Sequence, residues 1–154
     1  MQMERELMPT VHKFSGGLAA LMIATFWLST ILSELILGQQ AVVTVKTLIP
    51  YGFLVLVPAM ATAGATGFKL AKGRTAGVIG AKRKRMPFIA ANGVLILIPS
   101  ALFLSAKAQA GAFDTMFYAV QVLELVAGAI NLTLLGLNTR DGRRMTAGRR
   151  RRAA

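Results

Sequence analysis

"QVLELVAGAIN", residues 121–131, is the stretch whose reading decides the fold. Its apolar residues read as membrane helix, yet it carries two amides and a carboxylate. Gln121, Glu124, Gly128 and Asn131 are spaced three, four and three apart. That spacing puts all four on one helical face. Lipid offers such a face no partners, so it must turn toward protein.

The rest of the chain agrees with a membrane reading. It has 154 residues, 55% of them hydrophobic, and a mean hydropathy of +0.57. The apolar residues fall into four runs separated by basic clusters, as in a polytopic membrane protein of one domain. Cysteine is absent, which excludes disulfides, thiolate nucleophiles and Cys-ligated metals. One histidine, His12, is too few for a multi-His metal site within one chain. The net charge of +12 sits beside apolar runs. It therefore reads as topology and contact with anionic lipid head groups rather than nucleic-acid binding.

The predicted fold is all-α: four transmembrane helices in an up-down bundle, roughly 14–37, 47–71, 88–106 and 115–137. Residues 1–13 read as a short arm, with Pro9 at or just before a helix start. The domain spans 1–137, and 138–154 is a basic cytoplasmic tail with Asp141-Gly142 as a turn signal. "GQQAVVTVK" (38–46) and "KAQAGAFD" (107–114) read as short loops, with Asp114 as an N-cap. Residues 72–87 read as a basic loop holding Lys72, Arg74, Lys82, Arg83, Lys84 and Arg85. Only Lys46 and Lys107 fall in the other two loops. The positive-inside rule then places both termini in the cytoplasm, as in a bacterial inner-membrane protein. "YGFLVLVP" (51–58) and "NGVLILIP" (92–99) echo each other. An inverted pair of proline-broken helices is a transporter feature, and chance similarity between apolar segments is the plainer alternative.

Four groups of residues could carry chemistry. At ~1.5 Å per residue Glu124 lies ~15 Å from the outer surface, near the midplane. An ionised group there costs ~2.5–3.5 kcal/mol on insertion scales. The Gln121–Glu124–Asn131 face is either helix–helix glue or a proton, ion or substrate site. Asn92 and Asn131 lie ~7 and ~9 Å from the inner surface, matched for pairing. Glu34 lies ~6 Å from the outer surface, with Lys46, Tyr51 and Lys107 as companions. A Glu34–Lys46 pair across the first loop is expected. Trp27 and Thr30 share the Glu34 face, and the Trp27 indole N–H needs an internal acceptor.

"VHKFSGG" (11–17) sets His12 one turn before Gly16 and Gly17. The imidazole suits iron ligation, and the glycines leave room for a flat macrocycle. Over this one helix the stretch resembles the first helix of several small haem-binding membrane proteins. The expected ligation of haem b is His–Met, by His12 with Met8 or Met86, or by His12 from each of two chains, with Arg83 and Arg85 among the basic side chains meeting its propionates. A solvated interfacial histidine is the plain alternative. Ala59, Ala63 and Gly67 form a small-residue stripe for close contact, within the chain or between copies.

No phosphate-binding glycine loop, H-E-x-x-H motif or nucleophile elbow is present, which argues against an enzyme. Three classes remain. They are a haem-binding electron-transfer or redox-accessory protein using His12, a small proton- or cation-coupled carrier using Glu34 and Glu124, and a structural or assembly subunit. Of the two specific readings haem binding comes first and the carrier is the alternative; a homo-oligomer, or a place within a membrane complex, suits either.

Overall fold

In the computed structural model, residues 2–71, 73 and 76–153 are described, with side chains over 7–71, 73 and 76–144. Helix α1 comprises Gln2–Leu32 and continues as a wider π-turn, Ser33–Leu37. Helix α2 is Gln39–Ala71. Helix α3 spans Gly77–Gln109, with a π-turn at Gly93–Leu97. Helix α4 is Thr115–Ala153. All four are long and apolar enough to cross a membrane, which is compatible with an integral membrane protein.

The helices overrun the predicted boundaries. The N-terminal arm is part of α1, with Pro9 inside the helix. The first connection shrinks to Gly38, whose φ of +80° and ψ of 177° suit only glycine. Lys46 is therefore not a loop residue. It lies seven residues into α2, about 10 Å along the helix. The "KRKR" run at 82–85 opens α3, and Asp141-Gly142 continues α4 rather than turning. In each case polar residues extend a helix beyond its apolar stretch. Lys72, Arg74 and the side chains of the 149–152 arginine run lie outside the described residues.

Local chemistry explains the breaks. Asp114 caps α4 by accepting the Phe117 N–H at 2.9 Å. Lys107 hydrogen-bonds its other oxygen. That bond first, then the Phe117 N–H, holds the Asp114 carboxyl below the usual aspartate range. In α3 the Ile98 N–H donates to the Gly93 carbonyl, one residue further back than α-helical pairing. This wide turn directly precedes Pro99, which cannot donate an N–H. Helix α2 passes Pro58 without such a turn, so the two echoed segments differ in backbone form.

Two apolar clusters hold the bundle. Ala19 and Ile23 of α1 pack on Leu56 and Ala59 of α2, with Leu132 and Leu135 of α4 against them. Val42 of α2 packs with Leu104 and Ala108 of α3 and Phe117 of α4. Along both α2 and α4, the segment between these clusters holds polar side chains. Large apolar side chains instead face outward, among them Leu35, Leu54, Phe88 and Leu95. An apolar exterior over a partly polar interior is the reverse of a water-soluble core.

Candidate functional site: a buried ionic cluster

Among the described residues Lys46 is the largest fully buried side chain, 0% exposed. It belongs to the helix-periodic stripe Val42, Lys46, Ile49, Phe53 and Leu56, which turns α2 inward. Its ammonium donates to Glu124 Oε2 of α4 and forms an ion pair there. The Thr30 hydroxyl of α1 is 3.5 Å from the same nitrogen. Three helices thus converge on one cation, and Glu124 is only 12% exposed.

Lys46 therefore pairs with Glu124, not with Glu34 as expected from a loop position. Helix α2 begins eight residues earlier than predicted and carries the ammonium inward. Glu34 sits in the π-turn that ends α1. It lies within electrostatic range of both Lys46 and Glu124. Its Oε1 is buried with no hydrogen-bond partner. Gln121 donates weakly to Glu124 Oε2, at 3.5 Å, and its own Oε1 is also buried and unpartnered. The ammonium thus pairs with Glu124 alone, while Oε1 of Glu34 and Oε1 of Gln121 are buried without a donor. Tyr51 turns outward and stays exposed, away from this cluster.

The apolar flank is a cavity of about 60 Å³ beside Glu124 and Thr30. Phe26, Trp27 and Phe53 wall it, and Leu97, the last residue of the α3 π-turn, closes another side. Room for a water needs roughly 10–15 Å³. The Trp27 indole N–H finds its internal acceptor in the Leu125 carbonyl, 2.9 Å away. Gly128 makes that possible: an added Cβ would lie 2.7 Å from Trp27 Cδ1. The residue that approaches Gly128 is thus an indole.

One level further along α4, the amides meet. Asn92 donates to Asn131 Oδ1 at 2.9 Å and to the Ala127 carbonyl at 2.8 Å. Asn131 is fully buried. This pair carries no charge and ties α3 to α4.

His12 lies on a different surface. Its Nδ1 is 3.0 Å from the Ala63 carbonyl and 3.1 Å from the Thr66 hydroxyl. A carbonyl only accepts, so that contact puts the proton on Nδ1. Gly67 leaves the ring space, since a Cβ there would lie 3.0 Å from His12 Cε1. The Ala59–Ala63–Gly67 stripe therefore serves α1–α2 packing within the chain. Both hydrogen-bond partners of His12 are on α2. Met86 and Arg85 engage α4 instead: Arg85 binds Asp141 at 2.7 Å, and Asn138 reaches the Met86 sulfur at 3.6 Å. Arg83 is exposed.

Sequence reasoning missed three participants: Thr30 as a Lys46 neighbour, and Asn138 and Asp141 as anchors for α3. Among the described residues no cluster of His, Cys, Asp and Glu suits a metal ion. The chain matches no protein-family model, no curated protein and no solved structure.

Proposed function

We propose that this protein is a small proton-coupled membrane carrier whose proton site is the Lys46–Glu124–Glu34 cluster. The observation that carries the reading is the shortage of donors around Lys46. The ammonium pairs with Glu124, Glu34 lies within its electrostatic range, and the buried Oε1 atoms of Glu34 and Gln121 are left without a donor. A proton is the smallest species that turns an acceptor into a donor. It would balance the second carboxylate as Lys46 balances the first. A metal cation fits less well, because the buried ammonium repels it.

Glue alone does not need these residues. The Asn92–Asn131 pair already joins helices with neutral amides. A buried ion pair costs desolvation that amides avoid, so its presence favours function over packing. The π-turn that carries Glu34 is a backbone form found often at functional sites. In this reading the bundle runs up and down through the membrane with both termini cytoplasmic. The inward placement of Lys46 supports that orientation, because only Lys107 now marks the opposite side. The test is carriage in proteoliposomes under an imposed pH gradient. Wild type should collapse the gradient when its substrate is added. Glu34→Gln should fold normally and fail to do so; equal activity would remove the proposal.

A haem-binding reading keeps one observation in its favour. With its Nδ1 proton held by the Ala63 carbonyl, His12 offers Nε2 as a ligand, the outer-shell pattern of metal-bound imidazoles. The visible spectrum of protein purified from haem-replete cells separates the two. A Soret band lost in His12→Ala would favour haem.

A further inference from the structure

A second concavity lies between α1 and α4, near the arginine-rich end of α4. It is an open groove of about 430 Å³. Ala20, Leu132 and Leu135 line its apolar part, and Arg140, Arg143 and Arg144 its polar end. We propose that this groove binds an anionic phospholipid, one acyl chain lying along the apolar wall and the phosphate among the guanidiniums.

Charge complementarity points to the head group. None of the groove's lining residues is acidic. Asp141, next to Arg140 on α4, is held at 2.7 Å by Arg85 and pairs more loosely with Arg140 at 3.8 Å, which leaves Arg143 and Arg144 without an ion-pair distance to it. The guanidiniums thus keep an excess positive charge, and their planar forks suit phosphate oxygens. Shape points to a chain. Gly136 opens the floor, since an added Cβ there meets nothing within 4 Å. Leu132 and Leu135 are anchored from behind by the α1–α2 cluster, so the wall is fixed. From Leu132 to Arg144 the lining changes from apolar to cationic over about 18 Å of helix. That gradient matches an amphiphile and not a free phosphate. It also matches the boundary between hydrocarbon and head groups, where basic pockets between helices bind anionic lipid. The site rests on the membrane reading but is independent of the proton cluster.

The test is native mass spectrometry of the detergent-purified full chain, titrated with phosphatidylglycerol or phosphatidylcholine of identical chains. Phosphatidylglycerol should bind more tightly. Arg143→Gln alone should weaken it roughly fivefold, and each further guanidinium removed by a similar factor. Gly136→Phe fills the groove without changing charge and should weaken it too. Replacing Arg149, Arg150, Arg151 and Arg152 together by Gln should leave groove binding in place. Equal binding of the two lipids by wild type would overturn the proposal. So would loss of binding in the 149–152 variant with none in Arg143→Gln or Gly136→Phe. Competition by glycerol phosphate as strong as by the lipid would mean a head-group site with no chain, and would also overturn it.

Discussion

The Lys46 ammonium and the Glu124 carboxylate, 78 residues apart in sequence, meet inside the bundle with the lysine fully enclosed. Removing either partner strands the other. Lys46→Met or Glu124→Leu should each cost about 3–5 kcal/mol, the usual penalty for breaking a buried pair. Lys46→Met combined with Glu124→Leu should recover most of that loss. Denaturant unfolding in detergent micelles would measure the cycle. Additive losses in the double variant would mean the two side chains do not interact.

The Asn92–Asn131 pair should behave as glue. Exchanging Asn92 for Leu should cost about 0.6–1.7 kcal/mol, the range seen for interhelical hydrogen bonds in membranes. Proton exchange by that variant should equal wild type. A change in its pH response would put the amides into the proton site.

Trp27 is the only tryptophan, so it reports on its own surroundings. Gly128→Ala places a methyl group where the indole now sits. The ring must move and lose its bond to the Leu125 carbonyl, worth about 1 kcal/mol. Tryptophan emission should shift in Gly128→Ala and stay unchanged in Gly136→Ala, whose surroundings are open. Identical spectra for wild type and Gly128→Ala would show that the indole does not pack there.

The native chain lacks cysteine, so single-cysteine variants report topology cleanly. Gln40→Cys, in the exposed start of α2, should react with an impermeant reagent in intact cells. Lys84→Cys, exposed at the start of α3, should react only after permeabilisation. The reverse pattern would invert the proposed orientation.

How much of this was legible beforehand depended on where polar residues were assumed to stop a helix. The four apolar spans and the inward polar face of α4 follow from hydropathy and spacing alone. Asn92 and Asn131 were matched by depth, which works because both helices rise at the same rate. Lys46 was misread because "GQQAVVTVK" looks like a loop when polarity is equated with exposure. The signal was present: Val42, Lys46 and Ile49 are spaced four and three apart, continuing the buried stripe of α2. Reading that stripe through the lysine would have brought it to Glu124. Asp141 was hidden by the Asp-Gly turn signal, which the Arg85 ion pair overrides. The π-turns leave no mark in composition. They follow from how the backbone accommodates Pro99 and the end of α1.

The most direct measurement is pH-difference infrared spectroscopy of the protein in lipid nanodiscs. Of the six carboxylic side chains, Glu124 pairs with Lys46 and Glu34 lies within electrostatic range of both. On acidification wild type should show the carbonyl stretch of a protonated, slowly deuterating carboxyl group. Glu34→Gln should lack that band, and Asn92→Leu should retain it. A wild-type spectrum without the band, or a band untouched by both Glu34→Gln and Glu124→Gln, would contradict a proton site at the Lys46–Glu124–Glu34 cluster.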